Sequence, residues 1–279
     1  IALGPLTTSA QELVRRDPAL TRMVEEVSAK NIEGIVRKLV TFETRHTLSD
    51  TTSTKKGIGA ARNWIKSEFE RYAKDSGGRL KVEFDTFTQP ADGRRVTVPT
   101  VMKNVLAILP GTDPSDNRVL IVSGHYDSRA SDVNDIKSFA PGANDDASGT
   151  AVAMEMARVM SKYRFNCTII FVAMVGEEQG LYGAQNLAKR AKAENWNVHG
   201  MITNDIVGNS YGMETDLKDN WSVRIFSEGV PAGESQQEAS RRMSTGTEND
   251  GSARQFARYL KEVGERYVDQ LDVKLIYRR

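Results

Sequence analysis

The spacing of apolar positions changes more than once along this chain. Through the first seventy-odd residues, LVRRDPALTRMVEEVSAKNIEGIVRKLVTF and GIGAARNWIKSEFERYAKDS place apolar side chains three and four apart, which predicts amphipathic helices. KVEFDTFTQ then alternates in part with a period of two, and VPTVMKNVLAILPG ends on a turn at Pro110 and Gly111. Both read as adjacent antiparallel strands at one side of a sheet. Continuous apolar runs of strand length follow: RVLIVSG, CTIIFVAMV, GMITNDIVG and WSVRIF. Between the first three lie ASGTAVAMEMARVMSKY and LYGAQNLAKRAKAEN, which have helical spacing. Strands apolar on both faces, alternating with helices, predict a sheet that is largely parallel and covered on both sides. Residues 229–250, GVPAGESQQEASRRMSTGTEND, are polar without a clear period and read as a surface loop. GSARQFARYLKEVGERYVDQ reads as a helix and VKLIY as a strand.

The expected class is therefore α/β, with a mostly parallel central sheet, antiparallel edge strands and helices on both faces. One domain is expected over residues 1–279, made of a helical cover over 1–75 and a sheet and helix core over 80–279. The glycines of GIG, Gly57 and Gly59, do not form a dinucleotide-binding loop, because no strand precedes them and the third glycine is missing.

Composition narrows the partners more than the fold. Lysine and arginine number 38 against 37 acids, so a net charge of +1 gives no reason to expect nucleic acid or another polyanion. The single cysteine, Cys167, forms no internal disulfide and reads as a small core residue. No apolar stretch is long enough for a membrane-spanning helix. The chain begins at Ile1 rather than Met, from which removal of an upstream segment, compatible with a signal peptide, and a secreted or periplasmic location are expected.

In doubly wound sheets, ligands bind beyond the carboxyl ends of the strands, where the chain leaves the core. Four segments deliver acids or an imidazole there. VLIVSG is followed by His125, Tyr126 and Asp127, and GANDDASG presents Asp145 and Asp146 just before a helix. TIIFVAMVG is followed by Glu177 and Glu178, and Asp205 lies near the end of GMITNDIVG. Each alone has an ordinary explanation: Asp146 as a helix cap, His125 as a hydrogen-bonded structural residue, the Glu pair as a solvated loop. Together they would repel unless cations held them. Imidazole and carboxylates without thiolate suit zinc, and also cobalt or manganese, in a hydrolytic site. Asp145, between the others, is the candidate bridge of a dinuclear site, in which two ions about 3.5 to 4 Å apart activate a shared water. Adjacent residues leaving a strand diverge, so one of Glu177 and Glu178 can ligate while the other serves as general base and then acid. Asp127 is placed to accept the other ring N–H of His125 and fix its tautomer.

HYDS, GANDDASG, GEEQGLYGA and NDIVG, in this order and at these spacings, resemble the M28 zinc peptidases of the bacterial leucyl aminopeptidase type. The match spans roughly residues 120 to 210. The resemblance implies a zinc-exopeptidase fold, two zinc ions, and peptide substrates with a free N-terminus. It assigns His125, Asp145 and Asp205 to the first zinc and Asp145 and Glu178 to the second, with Glu177 as general acid/base and Asp127 orienting His125. It also implies a cis peptide between Asp145 and Asp146. One element departs from the family pattern, whose fifth ligand is a histidine near the C-terminus. The chain has only His46, His125 and His199. His46 reads as solvated or capping, and His199 as lying at the wrong end of its strand. The expectation is a piece of a longer protein whose second zinc site is weak or empty. Alternatives are a glutaminyl-cyclase-like enzyme with one zinc, a carboxypeptidase on the same scaffold, and a binding ectodomain without metal.

Overall fold

The computed structural model describes residues 15–212, 214–231 and 233–278. The three-and-four spacing at the start becomes three helices, α1 (Pro18–Glu25), α2 (Ala29–Val40) and α3 (Gly57–Asp75). Ser28 caps α2 by accepting from the Asn31 amide, and α2 buries Ile35 and Leu39, four apart, against the core. α3 buries Ile58, Ala61, Ile65, Phe69 and Tyr72, one continuous stripe.

β1 (Lys81–Gln89) and β2 (Thr100–Leu109) are antiparallel, in register from Lys81 opposite Ile108 to Gln89 opposite Thr100. Next come β3 (Arg118–His125), α4 (Ala147–Met160), β4 (Thr168–Met174), the single turn α5 (Glu177–Gly180), α6 (Tyr182–Ala193) and β5 (Asn197–Thr203). The five strands form one sheet in the order β1-β2-β4-β3-β5, with β3 parallel to both β4 and β5. The parallel part is therefore β4-β3-β5 and the antiparallel strands lie at one side. The sheet is mixed because β2 runs against β4.

β4 shows why the central strands read as continuous apolar runs. Its alternate residues Ile169, Phe171 and Ala173 join the core under α2, α3 and α4, while Ile170, Val172 and Met174 join a second cluster with Leu187 of α6. Truncating the fully buried Phe171 to Ala should cost about 3–5 kcal/mol. β5 is different, being exposed along much of its length. It starts at Asn197, so His199 lies within it and Asp205 lies beyond its end.

A short hairpin, β6 (Tyr211–Gly212) and β7 (Leu217–Lys218), precedes β8 (Ser222–Glu228). The segment read as a loop contains a helix, α7 (Gln236–Thr245), followed by a tight 3-10 turn over Thr247–Asp250. α7 buries nothing, so it has no apolar stripe to announce it, and a capping box between Ser235 and Glu238 starts it. α8 (Ser252–Tyr267) and β9 (Asp272–Arg278) follow. Among the described residues, WSVRIF does not extend the five-stranded sheet, and β8 pairs in parallel with β9 alone.

The described residues fall into two compact units, one of residues 15–25 with 221–278 and the other of residues 26–220. Every metal-site candidate named above belongs to the second. No described helix is long and apolar enough to cross a membrane.

Candidate metal centre

Because β3, β4 and β5 are parallel, their carboxyl ends open on one rim. His125 is the last residue of β3 and pairs with Met174, the last of β4. Gly176, with φ of 69°, then turns the chain into α5, which carries Glu177 and Glu178. Gly124 lets α4 begin hard against β3, since a Cβ there would lie 2.2 Å from the Gly149 carbonyl carbon. Asp146 caps α4 and ties three elements together. Its carboxylate accepts from the amides of His125 at 2.9 Å, Gly149 at 2.8 Å and Ile206 at 3.3 Å. The Asp145–Asp146 peptide is cis.

The convergence inferred from the strand ends is present. His125 Nε2 lies 3.1 Å from Asp145 Oδ1, 3.9 Å from Glu177 Oε2 and 4.0 Å from Asp205 Oδ1. One ligand atom each from His125, Asp145 and Asp205 lies within 4.8 Å of the others. Nε2 is buried and no partner reaches it in hydrogen-bonding geometry. An orphaned buried nitrogen costs free energy unless something fills the space before it. Imidazole with two carboxylates is a donor set suited to zinc.

Burial opposes a charge on His125, but its contacts with Asp127 and Asp145 outweigh this and push it up to about 12. A proton is one way to neutralise this acidic cage. A divalent cation in the same place is the other, and it requires the neutral ring. Burial raises Asp205, with the Asp145 charge adding to it, while the His125 contact holds Asp145 below the usual carboxylate range. Burial, followed among raising causes by Asp127, Asp205 and Asp145, raises Glu177, and burial, then Asp145 and Asp127, raises Glu178.

Asp127 sits differently from the sequence expectation. The His125 Nδ1 position faces the Asp127 main-chain oxygen at 3.2 Å, whereas the carboxylate is 3.6 Å away. The buried carboxylate instead accepts from the Glu177 amide at 3.3 Å, the Glu178 amide at 3.2 Å and Thr47 Oγ1 at 3.2 Å. It anchors the turn that carries both glutamates. Glu178 faces a cation of the chain itself: Arg129 Nε donates to its Oε2 at 2.7 Å, and Arg95 donates to its main-chain oxygen at 2.6 Å.

No strand-end argument pointed to Arg45, Thr47 or Arg129. Arg45 is fully buried and donates to the carbonyls of Tyr126 at 2.7 Å, Pro141 at 2.5 Å and Gly142 at 2.9 Å, joining the chain after β3 to the turn before Asp145. Burial lowers it to about 10 against the pull of Asp127, Asp146 and Asp145, so it stays charged at neutral pH beneath the acids. His46 is not solvated but fully buried, while His199 is exposed on β5. Neither joins the acids around His125.

Residues 104–270 match the profile described as peptidase family M28. A probable zinc metalloprotease of Leptosphaeria maculans is 49% identical over 268 residues, covering 95% of this chain and 62% of its own length. The chain spans between 58% and 62% of the length of the three curated relatives first matched. Among solved structures, the Legionella pneumophila LapA aminopeptidase superposes with a TM-score of 0.65 at 20% identity, over 99% of this chain and 60% of that one. A glutaminyl cyclase of an Acidobacteriales bacterium superposes with a TM-score of 0.51 at 22% identity, over 66% of this chain and 60% of that one. Both likenesses concern the fold. With the profile matched across β2 to α8 and the acids gathered at the strand ends inside that span, the chain belongs to peptidase family M28.

Proposed function

We propose that this chain carries the metal-binding part of a zinc-dependent aminopeptidase, which takes peptides with a free N-terminus and hydrolyses the first peptide bond. The observation that carries the reading is the buried, unpartnered His125 Nε2 converging with Asp145 and Asp205, with Glu177 beside it. His125, Asp145 and Asp205 would hold a first zinc, and Asp145 and Glu178 a second. Zinc bound there supplies a Lewis acid that polarises a carbonyl and acidifies a water. Glu177 belongs to none of these ligand sets. Its carboxylate is about one-third exposed, so it can meet solvent and substrate together, and it is raised toward the range where a carboxylate both takes and returns a proton. Asp127 holds the amides of Glu177 and Glu178, which fixes where that carboxylate points.

A second reading is a glutaminyl-cyclase-like enzyme with one zinc. It is favoured by the Arg129–Glu178 pair, which sets a positive charge where a second zinc would bind. The experiment is zinc titration of the full-length protein, followed by product analysis on peptides beginning with Leu or Gln. Release of the first residue supports the aminopeptidase. Ring closure of N-terminal Gln, with release of ammonia and one zinc bound, supports the cyclase.

A further inference from the structure

The loop between α2 and α3 touches three of the segments that carry the site. Three consecutive residues, Arg45, His46 and Thr47, are buried, and each reaches a different part of it. Arg45 clamps the chain on either side of the site through main-chain carbonyls, and Thr47 holds Asp127. His46 reaches the glutamates' own turn. Its Nδ1 accepts from the Leu48 amide at 3.0 Å, so the ring proton is on Nε2. That nitrogen lies 2.9 Å from the Val133 carbonyl and 3.1 Å from the side-chain amide of Gln179. The Val133 carbonyl accepts that hydrogen and the Gln179 atom facing it is the amide nitrogen; turned over, the amide presents its oxygen, otherwise buried without a partner, and shares the hydrogen in a three-centre bond.

We propose that His46 is a positioning residue for Glu177, acting through Gln179. The reason lies in where α5 is held. It is a four-residue turn between two left-handed residues, Gly176 with φ of 69° and Leu181 with φ of 62°, and it has no side-chain cap. Its first two amides are held by Asp127. Gln179 follows Glu178 directly and is buried, so its side chain is the tether on the inner side of the turn. With both tethers in place the turn cannot roll about the strand end, and Glu177 Oε2 stays 3.9 Å from His125 Nε2. With Gln179 released, the turn keeps Asp127, the Arg95 bond to the Glu178 carbonyl and its backbone bonds from Tyr182 and Gly183, but its inner side is no longer held. None of the ligands assigned to the first zinc is touched.

The inference rests on the reading of Glu177 as the proton carrier, and one experiment separates the two. Full-length wild type, Gln179→Met, His46→Gln and Glu177→Gln are compared for steady-state hydrolysis of the best peptide substrate, zinc affinity, and amide hydrogen exchange in metal-free protein. Gln179→Met keeps size and burial but removes the hydrogen bond, and it should lower kcat about 10- to 100-fold, as lost outer-shell support does. KM and the affinity for the first zinc should change by less than about twofold, while exchange at Glu177 and Glu178 speeds up about tenfold relative to α4. His46→Gln still offers an N–H and should recover most of the rate. Wild-type kcat and exchange in Gln179→Met, with Glu177→Gln inactive, overturns the positioning role and leaves Glu177 standing. Parallel losses of kcat and zinc affinity also overturn it, since they mark general collapse of the site. Full activity in Glu177→Gln removes the reading itself.

Discussion

Around His125, ligand atoms from the end of β3, the start of α4 and the segment beyond β5 lie within 4.8 Å of one another, and the imidazole Nε2 among them is buried with no partner in hydrogen-bonding geometry. Around Glu178, by contrast, the chain supplies its own cation, with Arg129 at 2.7 Å. The two halves share a rim and an acidic character, and they differ in what faces the acids. The difference teaches that clustered carboxylates need charge compensation and that a fold can provide it in two ways. One leaves a hole for a metal, and the other fills it with a guanidinium.

The largest effect should come from removing the imidazole. His125→Ala leaves two half-exposed carboxylates, and tight zinc binding by calorimetry should vanish. Retention of tight zinc in that variant would show that the two halves are not distinct. Next comes Glu177→Gln, expected to lower kcat by about 10²- to 10⁴-fold with the first zinc site intact. An equal loss of zinc would make Glu177 a ligand instead.

A third effect is on stability. A group raised on folding stabilises the fold while protonated, and His125, raised from 6.5 to about 12, holds its proton through a range where the unfolded chain has lost it. Metal-free protein should therefore lose stability as pH rises from 7 to 9, by at most about 2.5 kcal/mol. Asp146, raised by burial to about 7, adds a loss in the same direction below that window. Zinc requires the neutral ring, so the zinc-loaded protein should not show the decline. Equal slopes with and without zinc in denaturant titrations would place zinc elsewhere. The smallest effect concerns Arg129. Arg129→Gln should tighten any second, weaker zinc site by about 1 kcal/mol, roughly fivefold, because a partly exposed pair is well screened. An unchanged second affinity would mean that the guanidinium does not oppose the ion.

Much of this site was legible because its residues sit at predictable places. His125, the Glu177–Glu178 pair and Asp205 each follow an apolar run of strand length, and parallel strands bring such ends together. Asp146 was readable as a cap from its place before ASGTAVAM, but its contacts with the His125 and Ile206 amides were not. α7 was missed because it buries nothing, although the Ser235–Glu238 spacing marked its start. His46 reads as solvated or capping because FETRHTLSD itself offers its ring only the Leu48 amide. The residues that bury it lie at Val133 and Gln179, far along the chain.

By itself, the sequence determined which side chains arrive at the rim, since a strand fully covered on both faces must be apolar and must end where the polar residues begin. Only the tertiary structure decided which arrivals meet. It set Asp127's carboxylate against the glutamate turn as well as His125, paired Glu178 with Arg129, and brought Arg45, His46 and Thr47 against the segments that carry them. The physical reason is that hydrogen bonds and charge pairs act over about 3 to 4 Å, whatever the separation along the chain. Periodicity places elements, but only packing brings residues 80 or 130 positions apart to that distance.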